Sequence, residues 1–590
     1  MKRTTGILAV ATMLMAALPA AAGASDHGDC RDPATPISAI QGDGADSPLD
    51  GQVVVTEGIV TVDLQAESEL SGFFIEARSG DGDPDTSDGV FVSHRDTWTP
   101  LFNPSVGDFV RIEGTVDEQF GNTQVEFLSA ATICRSGVRV PTTRLDARTY
   151  NADNEAYEGM HLEFRNTLAV TDTFNLHRFG EVWLGESAVV EQPTNEFEVG
   201  VDAEALAEDN MARSFLLDDS STGSDPDPVP YLLADGTLRL GDTTEHLSGG
   251  IFFSFGQYRV MPQDPTAVDF AAQNLRPGPP SHDGDLAVAS FNVLNYWTTL
   301  GGRGAATPEQ LEVQTDKLVS AILEMDADIV GLQEVENDLT HTPILTLLAA
   351  LNAGDDTHDW AWIGELDHYN SYPIRNEIIY RSDRVSAVGD PVTLADPAFD
   401  TIPPGRDTPV GRPPVAQTFS YDGELFTVVN NHFKSKSCSG AEGANDDQDD
   451  GQACWNPVRV RQADVTLGFT RHLIRSTGDS DVLVIGDLNA YMREDPILTF
   501  ERRLDNLVTT FDSDPYSFNF FASFSAPWIG RGSLDHAFAT SSMASQVASL
   551  EVWHINADEP RFLDWFDPDV TAPGPYRSSD HDPVIIGLDL

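Results

Sequence analysis

One pattern limits the folds open to this chain more than any other. Between residues 285 and 590, apolar runs of strand length repeatedly meet a polar or acidic residue at one end. LAVASFNVLN reaches Asn292 and Asn295, ADIVGLQEVE reaches Glu334, and FTVVNNHF reaches Asn431 and His432. DVLVIGDLNA reaches Asp487 and Asn489, SLDHAFAT carries Asp535 and His536, and RSSDHDPVIIGLDL carries Asp580 and His581. Apolar runs without alternation are strands covered on both faces. One strand-end Asn or Asp is an ordinary turn former. Six such ends are harder to explain that way, because buried carboxylates are costly unless paired or bound to a cation.

The segments between these runs supply helices. TPEQLEVQTDKLVSAILEMD has Thr307 as N-cap, Pro308 in its first turn and Gln310 as capping-box partner. Leu311, Leu318, Ile322 and Met325 share one face at helical spacing. Strands alternating with sparse helices predict an α/β fold over 285–590: a four-layer sandwich, two packed mixed β-sheets flanked by helices.

Upstream, the texture differs. Residues 25–136 hold short alternating runs, VVVTEGIVTVDL, GFFIEAR, GVFVSH and FVRIEGTVDEQ, separated by Gly and Asp turns. They predict an all-β domain that resembles an OB-fold. Phe73, Phe74 and Phe91 lie in its strands, as core residues or as platforms for stacked bases. The turn DGDPDTSDG lacks the closing Glu of an EF-hand loop and reads as a solvated acidic turn ahead of a calcium site. Residues 137–272 form a second β-rich accessory region, and the Pro- and Gly-rich stretch 273–284 is a linker.

Residues 1–24 have the layout of a secretory leader: Lys2 and Arg3, an apolar run, then Ala22-Gly23-Ala24. No later run has 18 apolar residues, so the expectation is a secreted or periplasmic monomer with no stable membrane insertion after leader removal. An oxidising compartment gives the four cysteines a role as two local disulfides, Cys30–Cys134 and Cys438–Cys454. The rival zinc site lacks any C-x-x-C spacing.

The strand-end residues suit phosphodiester hydrolysis. A divalent cation takes hard oxygen ligands, and a histidine held in one tautomer by an aspartate takes a proton from water. Asparagines orient phosphate oxygens without adding negative charge. SFNVLN, LQEVE, NNHFKS, GDLNA, SLDHAF and SDHDPV, in this order, resemble the endonuclease/exonuclease/phosphatase superfamily of deoxyribonuclease I-like enzymes. The Cys438–Cys454 loop and the OB-like domain resemble a narrower group of secreted bacterial nucleases. The resemblance implies Asn292, Glu334 and Asp580 at the metal site, with Mg²⁺ or Mn²⁺ as the ion and Ca²⁺ as a further candidate. It implies His581 as general base oriented by Asp535, His432 as the first catalytic histidine, and Asp487 with Asn489 positioning water and phosphate. The acidic partner of His432 belongs in YPIRNEIIYR, where alternation puts Arg375 and Glu377 on one face. The implied substrate is DNA, with RNA as a further one. A phosphatase or sphingomyelinase-like phospholipid phosphodiesterase of the same superfamily is the alternative. A non-catalytic binding protein on this scaffold is the alternative of another class.

Charge complicates the substrate. Asp and Glu number 94 against 35 Lys and Arg, for a formal charge of −59. Such a surface repels polyanions at low ionic strength and resembles that of halophilic proteins. The basic residues nearest the motifs, Arg375, Lys434, Lys436, Arg459 and Arg531, are therefore the candidates for a local positive groove.

Overall fold

The computed structural model describes residues 28–66, 68–94, 102–400, 410–520 and 530–590. The leader expected over 1–24 lies outside them.

The first β region is a closed barrel of five strands, Val53–Leu64, Gly72–Glu76, Gly89–Ser93, Phe109–Gln119 and Asn122–Arg135. The third strand pairs parallel with the fifth, and every other pairing is antiparallel. Alternation sends Val60, Phe73, Ile75, Val90, Val92 and Ile112 into its core. Phe74 and Phe91 point the other way and pack on Phe252 of the next sheet, with Phe91 and Phe252 ring centroids 5.2 Å apart. Phe73, Phe74 and Phe91 are all buried, so none of these three is a base-stacking platform. Cys30 and Cys134 are disulfide-bonded across this domain, and Cys438 is bonded to Cys454.

Next comes an eight-stranded mixed sheet built from strands between Thr143 and Met261. Its core includes Tyr150, Phe164 and Phe215, the last two stacked at 4.4 Å.

The C-terminal half is a four-layer α/β sandwich. One six-stranded sheet has the order Trp360–Trp362, Ile374–Arg381, Ile329–Glu336, Leu286–Tyr296, Val584–Leu588, Val547–Val552. The other has the order Ser386–Thr393, Arg412–Tyr421, Glu424–His432, Val482–Asp487, Asp535–Ala539, Asp505–Asn506. Each contains one parallel pair at its centre, the Leu286 strand with the Ile329 strand and the Glu424 strand with the Val482 strand. Val288, Ile329 and Ile378 meet Phe419, Val428 and Ile485 between the sheets. Helices Pro308–Glu324 and Thr342–Gly354 cover the outer face of the first sheet, burying Leu318, Ile322, Met325 and Leu347 against Phe291 and Val330. Helices Asn456–Thr477 and Asp495–Glu501 do the same for the second. Strands buried on both faces need continuous apolar sequence, which is why these runs do not alternate. The first helix starts on the expected capping box, with Thr307 and Gln310 satisfying each other's backbone N–H groups.

Candidate active site

Strand register does much of the work of assembly. In the second sheet His432 lies opposite Asp487, and Asp487 lies opposite Asp535, so three chain segments present their polar ends in one row. The first sheet brings Asn292 and Glu334 to the facing ends. There the ladders slip, between Asn292 and Tyr296 and between Leu332 and Val335. Bulges of this kind re-aim side chains at the edge of a site. Leu294, Asn295, Glu334, Asn489 and Arg577 all have φ between 47° and 67°, a left-handed conformation that costs non-glycine residues.

The side chains form one connected set. Asp487 is fully buried, and its Oδ2 accepts from the amides of Asn292 at 3.1 Å and Asn489 at 3.2 Å. Oδ1 of Asp487 accepts from the Asn489 backbone N–H at 2.8 Å. His581 is also buried; its Nδ1 lies 2.7 Å from Oδ2 of Asp535 and its Nε2 points toward Asp487 at 3.9 Å. Asp535 is held in turn by the Ser517 hydroxyl at 2.7 Å. Burial alone would lower the pKa of His581, but the carboxylates of Asp535, Asp487 and Asp580 outweigh it and hold the imidazole well above its ordinary value.

Glu334 accepts from the Asn295 backbone N–H at 2.9 Å. Its carboxyl is raised, first by burial and then by the charge of Asp580 facing it. Asp580 is half-buried, and its carboxylate makes no hydrogen bond among the described residues. Two hard carboxylates that face each other, one of them without a partner, fit a divalent cation. The buried Oδ1 of Asn295, also without a partner, adds an oxygen beside them. Asn292 fits less directly: its amide is turned to Asp487, and its Oδ1 accepts from the Leu294 N–H at 3.1 Å.

His432 differs from the expectation. Its Nε2 meets the guanidinium of Arg412, which lies opposite it in the strand ladder, and lies 3.1 Å from Asp487 and 3.9 Å from Glu334. Burial and then the Arg412 charge push its pKa down to about 3. The imidazole is therefore held neutral. Glu377 is not its partner: it faces Arg375 at 2.5 Å and accepts from the Trp362 indole at 2.6 Å. Strand alternation puts Arg375 and Glu377 on one face, and there they form an ion pair with each other.

The groove cations are mostly committed elsewhere. Arg375 is held by Glu377, the Asp338 carbonyl and His341. Lys436 is buried against Glu494 at 2.6 Å, and Arg459 donates to the carbonyls of Cys454 and Gln452 under the disulfide loop. Arg531 pairs with Glu191 and Asp514, away in the junction with the middle sheet. Lys434 alone of the five stays by the site, close enough that the Arg412 charge helps, after burial, to lower it to about 8. Arg412 itself was not legible in the sequence. It is buried, donates to the Phe433 carbonyl at 2.8 Å and stacks on Tyr372 at 5.0 Å. Exposed Arg303 is near enough for its charge to act on Arg412. His536, next to Asp535, points into the opposite layer and meets the Ala490 carbonyl at 2.8 Å.

No curated protein sequence matches this chain. Solved structures do. An endonuclease/exonuclease/phosphatase from Bacteroides vulgatus is 19% identical with a TM-score of 0.34, covering 52% of this chain and 100% of its own. A Bacteroides thetaiotaomicron mannosyl-6-phosphatase is 18% identical with a TM-score of 0.34 over 52% and 100%. D. rerio TDP2 complexed with single strand DNA product is 15% identical with a TM-score of 0.32 over 51% and 97%. The sequence profile of the Endonuclease/Exonuclease/phosphatase family matches residues 289–581, which span the sandwich and every site residue above, and the C-terminal half of this chain belongs to that family of hydrolases.

Proposed function

We propose that this chain is an exported, divalent-metal-dependent nuclease that hydrolyses phosphodiester bonds in DNA with little sequence preference. The observation that carries the reading is the Asp535–His581 pair, whose free Nε2 faces Asp487 at the mouth shared with Glu334 and Asp580. Asp535 fixes the tautomer of His581, so that Nε2 takes a proton from water as that water attacks phosphorus. The bond from phosphorus to one bridging oxygen breaks, and that oxygen leaves with a proton from solvent. Asn292, Asn489 and Arg412 bind the non-bridging oxygens, and Asp487 holds both asparagines in place. Glu334 and Asp580 would hold Mg²⁺ or Mn²⁺. The chemistry that ion supplies when bound is positive charge beside the phosphate oxygens.

Arg412, Lys434 and Arg303 form one short run of positive charge on an acidic body, suited to the single charge of a diester. The apolar loop 562–570 does not favour a lipid substrate. Trp565 is fully buried and Phe562 stacks on His177 at 5.0 Å, which leaves Phe566 and Val570 as its exposed apolar groups. Among the described residues no helix is long and apolar enough to cross a membrane. The leader and the two disulfides support export.

The test is digestion of supercoiled plasmid with Mg²⁺, Mn²⁺, Ca²⁺ or EDTA by wild type, His581→Ala and Glu334→Ala. Nicked circles with Mg²⁺ or Mn²⁺, none in EDTA, and a loss of roughly 100-fold or more in each variant are expected. Near-normal turnover by His581→Ala would overturn the base assignment.

A further inference from the structure

The catalytic loop 577–582 is gripped by the segment 554–559, and that segment is gripped by the middle sheet. On its inner side, the Asn556 amide donates to the His581 carbonyl at 2.6 Å, and Asn556 Oδ1 accepts from the Ser579 N–H at 3.2 Å. The backbone N–H groups of Asn556 and Ala557 both donate to Asp582, and Arg577 donates to the Asn556 carbonyl at 2.6 Å. On its outer side, Arg239 enters from the middle domain, 1% exposed. Its guanidinium donates to Glu559, to Asp558 at 3.1 Å and to the His554 carbonyl at 2.9 Å. Arg276 adds two bonds to Glu559, and Asn274 adds one to Asp558 at 2.7 Å.

The same cluster reaches the other half of the catalytic pair. The Tyr516 hydroxyl donates to Asp558 at 3.0 Å, and the Tyr516 ring stacks on His554 at 3.8 Å. The next residue, Ser517, holds Asp535 through its hydroxyl. Asp558 is thus one step from the strand that orients the base and one step from the loop that carries it. None of these bonds belongs to the strand ladders of either sheet of the sandwich.

We infer that Arg239 is a positioning residue: the middle β domain is a brace that sets the register of His581 against Asp535, rather than a separate binding module. Buried charge networks hold one arrangement when every member is paired, and lose it when one partner is removed. The kinetic arm of this inference rests on the phosphodiesterase reading; the structural arm does not.

The test compares full-length wild type, Arg239→Met, Arg239→Lys and Arg259→Met by hydrogen–deuterium exchange. Arg259 is an internal control: it is equally buried and pairs with Glu181 at 2.7 Å and Asp218 at 2.9 Å, entirely within the middle domain. Arg239→Met should raise exchange roughly tenfold at 554–559 and 577–582, while Arg259→Met raises it only within the middle sheet. On bis(4-nitrophenyl) phosphate, Arg239→Met should lower kcat by roughly tenfold with KM within about twofold, and Arg239→Lys should recover part of the loss. If Arg239→Met does not fold, Asn274→Ala removes one bond to Asp558 and should show the same pattern at smaller amplitude. Unchanged exchange at 577–582 in Arg239→Met, or in Asn274→Ala where Arg239→Met does not fold, overturns the brace. Raised exchange there in a protein whose wild type leaves the diester intact upholds the brace and sinks the nuclease reading instead.

Discussion

In the proposed reaction the chemistry turns on His581 and Asp535, and their pairing fixes a pH dependence. The base acts when neutral, and Asp535 raises its pKa by favouring the imidazolium. Activity should therefore climb with pH through a value above the ordinary histidine range. Asp535→Asn removes that stabilisation, so the acid limb of the kcat profile should move to lower pH while the plateau falls by roughly 1,000-fold through loss of the tautomer. An acid limb that stays put, or moves up, would separate His581 from the rate. Arg412 yields a second test. Its fork reaches His432 and the Phe433 carbonyl while its face lies on Tyr372, a geometry that a lysine ammonium does not reproduce. Arg412→Lys should raise KM for DNA and lower kcat by roughly tenfold each, measured by nicking rate. The strand-end residues were legible as a set because a polar group at the end of an apolar run carries its own cost, while their separate roles come from the family resemblance. The cations were not, since a residue's charge says nothing about its partner. Lys436 and Arg531 look alike in the sequence to a substrate contact, yet Glu494 and Glu191 neutralise them.

At the scale of elements, the site depends on segments that are not themselves strands or helices of the core. The stretch between His432 and helix Asn456–Thr477 is closed by Cys438–Cys454 and pinned by the Trp455 indole on the Ser437 carbonyl at 3.0 Å. Arg459 and the Lys436–Glu494 pair anchor it from beneath. Cutting the disulfide in Cys438→Ser/Cys454→Ser should cost about 3 kcal/mol by the loop-entropy account, read from denaturant unfolding. It should also raise KM for DNA, because Lys434 rides on this segment with its ammonium 4.9 Å from the Trp455 ring. An unchanged unfolding midpoint would show that the packing alone closes the loop. The barrel and sandwich elements follow from local patterns, alternation in one and doubly covered runs with a capping box in the other. The eight-stranded sheet does not. Its strand Ser214–Leu217 pairs parallel with Gln257–Met261 across a long loop, and the helix Val201–Arg213 between its strands lacks a side-chain cap and a strong apolar stripe. Long-range pairing of this kind leaves no periodic mark in the chain.

For the whole molecule, the decisive quantity is where the positive charge goes. Arg239, Arg259, Arg276, Arg531 and Lys436 are turned inward to pair acids that are mostly buried with them, so none of the five offsets the acids left on the surface. At low salt that surface repels itself and repels DNA. The Debye length falls from about 10 Å at 0.1 M to about 3 Å at 1 M, which removes both repulsions while leaving buried pairs nearly untouched. Tm should therefore rise between roughly 0.1 and 1 M KCl. The binding of DNA should behave unusually over the same range. A protein that grips 6–10 phosphates loses about 1,000-fold or more of its affinity when salt rises from 50 to 200 mM. Among the described residues this reading gives the substrate three cations, Arg412, Lys434 and Arg303, so the loss from counterion release is small and the relief of body repulsion opposes it. KM for DNA should stay level or fall as KCl rises from 0.05 to about 1 M. A steep rise in KM with salt would mean that a larger cationic surface engages the backbone than the three residues named, and would move substrate binding away from this cleft.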